Sequence, residues 1–413
     1  MENHKITTLP NGIRIISETL PYVKSFSLGF WFNTGSRDES ESLNGVCHFI
    51  EHMLFKGTKK RSARKIADDI ESLGGYLNAF TSKEHTCFYG RGLAKHIEKT
   101  FEVLADMVQN PSFKETEMKK EAGVVIDEMD DIEDSPEELI FDKFESVIFK
   151  SNQLGLPIIG TAENLIKFTQ KDLFDFIERN YAFGNFYIAA SGAVDHDKLV
   201  EFTKKYITRD YAKKPVKRKA IKLKKAADLY VNKEIQQAHY LIGKTACGYL
   251  DRNKRTKVSL LSHILGEGSS SRLFQSVRER NGIAYQVNSF LNSFLDISTF
   301  GVYLATNEKM VIKAVDLVSK EFKKLKEKKV SEKELSKVKE YFKGSIHMGL
   351  EGTTNRMIRS AQSMIYYNRI KPISESIEDV DSITRDDIFE IANEMLNEEE
   401  MIRVMISPKD LLA

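Results

Sequence analysis

The sequence predicts an α+β fold of two homologous domains, each a mixed sheet packed with helices. Three observations lead there. The chain has 413 residues, too many for one ordinary core and enough for two domains of about 200 residues each. Segments of strand period and of helix period both recur along its length. The order of those segments also repeats. IESLGGYLNAFTSKEHTCFYGRGLAKHIEKTFEVLADMV reads as helix, glycine turn, strand pair, helix, and so does VRERNGIAYQVNSFLNSFLDISTFGVYLATNEKMVIKAVDLV, 277–318, with GGYLNAF and NGIAYQVNSF at matching places. The expected division is a first domain at 1–207, a linker at 208–226 and a second domain at 227–413.

In chain order, TTLPNGIRIISETL predicts a hairpin turning at Pro10-Asn11-Gly12. Phe26 to Gly35 reads as a core strand, and SRDESESLNG after it as a polar loop. A helix starts after Ser62, an N-cap residue, and ends at Gly74-Gly75. YLNAFTSKEHTCFYGRGL gives two strands, and HIEKTFEVLADMVQN a helix that stops before Pro111. An acidic helix spans about Lys114 to Asp131. Its Glu121 and Glu128, seven residues apart, project from one face. Such a charge run usually means a solvated face, but the AGVVI between them is apolar, and a buried carboxylate needs a partner, of which a metal is one. Asp127–Glu138 lacks the turn glycine and spacing of a calcium loop.

Further on, Thr169 and Asp172 form a capping box, NFYIAASGAV is a strand and DHDKLVEFTKKY a helix. The lysine-rich 208–226 has little apolar periodicity and reads as linker, with a nucleic-acid or membrane patch as the alternative. Ser331/Glu334 and Thr384/Asp387 cap late helices, and MIRVMIS is a closing strand.

Composition narrows the function classes. The chain is 41% hydrophobic and 30% charged, as soluble globular proteins are. A net charge of +2 argues against a dedicated nucleic-acid binder. No apolar run approaches the length of about 20 residues that spans a membrane, and the first residues lack a signal-peptide pattern. Cys47, Cys87 and Cys247 are odd in number and widely spaced, as reduced thiols of a cytoplasmic protein would be.

The chemistry centres on GVCHFIEHMLFKG, Gly45 to Gly57. His48, Glu51 and His52 form H-x-x-E-H, and on a helix positions i, i+3 and i+4 share a face. Two imidazoles one turn apart can chelate a divalent metal, and the carboxylate between them can take a proton from a metal-bound water. The flanking Phe49, Ile50, Met53, Leu54 and Phe55 fit a helix buried around that polar face. The bland reading is a chance meeting on a half-buried helix, and Cys47, pointing about 100° from His48, reads as a small buried residue. In the second half the equivalent helix, TKVSLLSHILGEG, has one histidine, His263, without a partner at helical spacing.

H-x-x-E-H is the inverzincin signature. The sequence around it resembles the family of pitrilysin, insulin-degrading enzyme and mitochondrial processing peptidase. HFIEHMLFKGT, LGGYLNAFTSKEHTCFY, EAGVVIDEM and SSRLFQSVRERNGIAYQV all look like family blocks in family order, so the resemblance covers nearly the whole chain. It implies a zinc endopeptidase of the short-subunit, processing-peptidase-like branch. Two such chains would pair as a homodimer, each supplying half of a four-domain clamshell that encloses unfolded peptide substrates. It implies one Zn²⁺ per chain held by His48, His52 and Glu128, with Glu51 as general base and Glu121 supporting the site without ligating. Asn78, Ala79, Phe80 and Thr81 would be the edge strand that pairs with substrate. Arg278 and Tyr285 would bind substrate or the developing oxyanion. The alternative is a noncatalytic or partner-dependent subunit of a processing-peptidase-like assembly.

Overall fold

The computed structural model describes residues 3–209, 218, 221, 223 and 227–411. The expected linker therefore lies mostly outside the described residues. Arg218, which is described, donates to both carboxylate oxygens of Asp38, at 2.9 and 2.8 Å.

Two compact units form, each around one mixed sheet. The first sheet contains β1 (His4–Thr8), β2 (Arg14–Thr19), β3 (Ser25–Phe32), β4 (Tyr76–Thr81), β5 (Thr86–Leu93) and β6 (Phe186–Gly192), in the order β1-β2-β6-β3-β5-β4. The second contains β7 (Leu229–Asn232), β8 (Ala238–Cys247), β9 (Ala284–Ser293), β10 (Ile297–Thr306) and β11 (Ile402–Ser407), in the order β7-β11-β8-β10-β9. Set β2 against β7 and the sheets coincide: one parallel pair, β2–β6 or β7–β11, followed by antiparallel pairs only. The repeat expected from sequence is thus a repeat of topology, and β4, an edge strand, matches β9, also an edge strand.

The helices are α1 (Val46–Leu54), α2 (Ala63–Glu71), α3 (Ile97–Gln109), α4 (Glu115–Asp134), α5 (Pro136–Ile148), α6 (Ala162–Lys167), α7 (Gln170–Asn180) and α8 (His196–Tyr206) in the first half. In the second they are α9 (Arg252–Gly266), α10 (Val311–Glu327), α11 (Glu332–Gly349), α12 (Thr353–Tyr367), α13 (Ile373–Ser382) and α14 (Arg385–Met395). Of the capping residues read from sequence, Ser62 Oγ accepts from Lys65 N, and Thr169/Asp172 and Thr384/Asp387 close reciprocal boxes, whereas at Ser331 the hydroxyl accepts from Glu334 N but the Glu334 carboxylate binds Arg272.

β3 shows why its sequence, SFSLGFWF, is apolar at nearly every position: both faces of the first sheet are covered. Phe30 points to α3, its ring 4.9 Å from that of Phe101. Its neighbour Trp31 points the other way, to α12, and its indole N–H donates to Met357 Sδ at 3.2 Å. Full burial of each such phenylalanine contributes roughly 1.5–3 kcal/mol. Gly29 makes room for this contact. A Cβ there would sit 2.6 Å from Trp31 Nε1 and 2.7 Å from Met357 Sδ.

In the second unit α9, α10 and α14 supply one apolar layer, with Val258, Leu261, Phe322 and Ile391 buried in it. The other face is covered by α5, whose Phe141 and Phe144 meet Phe290 at 5.0 and 5.9 Å. The units therefore exchange helices. The first takes Gly349–Ile370, which includes α12, and the second takes Ile132–Ser151, which includes α5.

One local reading differs from expectation. SRDESESLNG is not a solvated loop: it folds as two short 3-10 turns, Ser36–Asp38 and Glu41–Leu43, and buries Ser36, Arg37, Glu39 and Asn44. The buried Arg37 guanidinium is paired with Glu84 at 2.6 Å, as burial requires.

Candidate metal centre

The site begins with how α1 starts. Gly45 precedes it with φ +97°, a left-handed conformation that glycine adopts without strain. A Cβ at Gly45 would also lie 2.8 Å from Gly160 Cα and from Ile159 O. The first N–H groups of a helix lack partners within it. Here the buried Glu39 carboxylate takes two of them, accepting from Gly45 N at 2.8 Å and Cys47 N at 2.7 Å, with Asn44 Nδ2 as a third donor at 3.0 Å. Burial pushes the Glu39 carboxyl up to about 7 against the pull of those donors. Val46, Cys47, Phe49, Ile50, Met53 and Leu54 fill the buried sides of α1. His48, Glu51 and His52 remain half-buried on the face left over.

That face meets α4. Glu121 and Glu128 project from α4 as the spacing of seven predicts, and they face the two nitrogens of one imidazole. His52 Nδ1 is 2.9 Å from Glu121 Oε1, and His52 Nε2 is 3.7 Å from Glu128 Oε2. His48 Nε2 lies 3.8 Å from Glu128 Oε1. Lys56 Nζ donates to the other oxygen of Glu121 at 2.6 Å. An ionised Glu121 has no proton to give, so it accepts from His52 Nδ1–H and leaves the Nε2 lone pair facing Glu128. His48, His52 and Glu128 offer one donor atom each within 4.8 Å of one another, the one such trio among the described residues. At zinc bond lengths of about 2.0–2.2 Å, donors sharing a tetrahedral ion stand about 3.4 Å apart. Two imidazoles and a carboxylate with these separations fit a zinc ion.

Charge states follow from surroundings. Burial pushes His48 down to about 4, and the neighbouring His52 adds to the shift, so it is neutral at physiological pH, as a ligand must be. Burial also lowers His52, but the Glu121 hydrogen bond and the charges of Glu121, Glu128 and Glu51 outweigh it and raise it overall. Glu51 is raised by burial, opposed by the Thr81 hydroxyl.

β4 runs along this face. It pairs with β5 on one side only. Asn78 Oδ1 accepts from Ala79 N at 2.9 Å, Phe80 packs edge-on to Trp31 at 5.4 Å, and Thr81 Oγ1 donates to Glu51 Oε2 at 2.5 Å. Thus His48, Glu51, His52, Thr81, Glu121 and Glu128 are brought together. Arg278 and Tyr285 belong to the second unit. Arg278 sits on a π-helical turn, Phe274–Glu279, with its guanidinium 4.9 Å above the ring of Tyr285. Tyr285 is on β9, the counterpart of β4, and is 72% exposed. His263, on the counterpart of α1, is packed against Tyr341 and Phe342 and lies 3.1 Å from Glu267. The three cysteines are free, with Cys47 and Cys87 buried.

Two residues of the site escaped the sequence reading. Lys56 lies in the turn just after α1, four residues beyond His52, a cation where a buried acid needs one. That spacing was the available signal. Glu39 left none, because it is six residues from the first N–H it caps.

Two copies of one α+β unit, with a His-His-Glu trio between the H-x-x-E-H helix and an acidic helix in the first, define the inverzincin class. Comparisons with known proteins agree. Residues 14–162 match the family model described as insulinase, peptidase family M16, and residues 167–342 match the M16 inactive domain. A Bacillus subtilis protein, YmxG, named an uncharacterized zinc protease, is 33% identical over 405 residues, covering 97% of each chain. An uncharacterized zinc protease of Streptomyces coelicolor is 34% identical over 413 residues, 98% of this chain and 90% of that one. In fold, a protease from Helicobacter pylori superposes with a TM-score of 0.90 at 23% identity, over 98% of this chain and 100% of the other. A Pseudomonas fluorescens structure, titled as an M16 inactive domain, gives 0.89 at 20% identity over 99% of both. The chain belongs to peptidase family M16. No described helix is long and apolar enough to cross a membrane.

Proposed function

We propose that this chain is a zinc-dependent endopeptidase acting on unfolded peptides. The observation that carries the reading is the convergence of His48, His52 and Glu128 from two helices, with Glu51 beside them but outside the trio. His48, His52 and Glu128 would hold one Zn²⁺ per chain. When bound, that ion would supply Lewis acidity for activating water and for polarising the scissile carbonyl. Glu51 accepts the water's proton and later delivers it to the leaving amine. Glu121, fixed by Lys56, orients His52. Substrate adds as a strand to the free side of β4 along Asn78, Ala79, Phe80 and Thr81, so affinity comes from main-chain hydrogen bonds and demands extended rather than folded substrate.

The test is hydrolysis of an internally quenched, unfolded peptide by purified protein before and after chelation. Loss of activity on zinc removal, and its return with one equivalent of Zn²⁺, is the expected result. Zinc-replete protein that cleaves no member of a varied peptide pool would overturn the reading.

We further propose that the active form is a homodimer whose chamber encloses the peptide. Arg278 and Tyr285 of one copy then face substrate at the metal of the other, which fits the exposure of Tyr285. Mixing inactive Glu51→Gln chains with inactive Arg278→Ala chains should restore part of the activity, because one of the two sites in a mixed dimer is then whole. No recovery despite demonstrated subunit exchange would rule out action in trans.

A further inference from the structure

Thr81 is the last residue of the edge strand β4. Its side chain does something else. β4 alternates, and with Phe80 turned toward Trp31, Thr81 faces α1. There its hydroxyl donates to Glu51 Oε2 at 2.5 Å, a short bond of the kind made to a carboxylate. Glu51 Oε1 has no hydrogen-bond partner among the described residues. One oxygen of the base is therefore anchored and the other is free.

We propose that Thr81 is the positioning residue of the general base. Its hydroxyl holds the Glu51 carboxylate in one rotamer with Oε1 open for proton transfer, and it links that carboxylate to the strand on which substrate is laid. An unanchored glutamate on a half-buried helix face can swing about three side-chain bonds. A base that must meet its proton within hydrogen-bond distance loses rate when it swings. The bond has a second consequence. The base and the peptide-binding backbone are positioned by the same residue, so a peptide paired with β4 is registered against Glu51 and not only against the metal. The inference rests on the peptidase reading.

Thr81→Val keeps the shape and β-branching and removes the hydroxyl. Thr81→Ser keeps the hydroxyl. In the zinc-loaded protein, Thr81→Val should lower kcat by about 10- to 100-fold, the loss of one hydrogen bond to a charged group. KM should stay within about twofold, because the β4 backbone is unchanged. Thr81→Ser should recover most of kcat. A merely structural threonine would instead move KM and unfolding temperature, and serine would not rescue it. Should Thr81→Val fail to fold, Thr81→Ala against Thr81→Ser is read in the same way. Crystal structures of the wild type and the valine variant give a readout independent of activity: a single Glu51 conformer bonded to Thr81, against two or more. Wild-type kcat in Thr81→Val, failure of serine to rescue, or an equally ordered Glu51 without the hydroxyl would each overturn the proposal. If the wild type itself cleaves nothing, the peptidase reading falls, and the order of Glu51 in the two crystals still decides the role of Thr81.

Discussion

Glu51→Gln should lower peptide hydrolysis by about 10²- to 10⁴-fold, the range in which a positioned general base contributes. Glutamine matches glutamate in shape, and its carbonyl oxygen can still accept the Thr81 hydroxyl. What it cannot do is accept a proton. Zinc content should be unchanged, because Glu51 is not one of the three converging donors. Substrate should still bind, since pairing along β4 involves no atom of Glu51. The variant should therefore show near-normal KM, or near-normal competition as a substrate trap, with kcat removed. Metal analysis and steady-state kinetics on one quenched peptide measure both. Activity within tenfold of wild type would place the base elsewhere. Zinc loss would instead make Glu51 part of the metal shell.

The site was legible to the extent that its parts lie close together in sequence. His48, Glu51 and His52 fall within five residues, and helix geometry alone puts them on one face. The strand pair containing β4 was legible from its residues, but its edge position came only from the family resemblance. Glu128 was harder. Spacing showed that Glu121 and Glu128 share a face, but nothing local said which of the two would meet the histidines' free nitrogens. That depends on how α4 crosses α1, and only the family resemblance separated them. Glu39 was hidden for a related reason. In sequence it belongs to a run of serines and acids that composition assigns to solvent, yet the N–H groups at the start of α1 and the close Gly45–Gly160 approach draw that run inside. The exchange of α5 and α12 was not legible at all. An amphipathic period specifies that a helix has an apolar face, but not which of two similar sheets the face will cover.

Substitutions at Glu128 and Glu121 should separate ligand from support, because the two carboxylates differ in what depends on them. Glu128 is the more exposed, its side chain 44% accessible. It lies 3.7–3.8 Å from both imidazoles, beyond hydrogen-bond reach. In the metal-free protein it contributes little, so Glu128→Gln should leave apo stability within about 0.5 kcal/mol. Its effect is on the ion. With a charged ligand replaced by a neutral amide, zinc affinity should fall by more than about 100-fold, the upper end for residues that merely support a ligand. Glu121 is buried and bonded on both oxygens, to His52 and Lys56. Glutamine there can still accept from His52 Nδ1, but it leaves the Lys56 ammonium without its anion. Glu121→Gln should thus cost the apo protein about 1–3 kcal/mol and weaken zinc by only about 10- to 100-fold. Thermal unfolding of the apo proteins and zinc competition with a calibrated chelator read the two effects separately. The expected signatures are opposite: metal lost with the fold untouched at Glu128, and fold weakened with much of the metal retained at Glu121. If Glu121→Gln released zinc as completely as Glu128→Gln while leaving apo stability intact, Glu121 would be a ligand, and the tautomer assigned to His52 would have to be reversed.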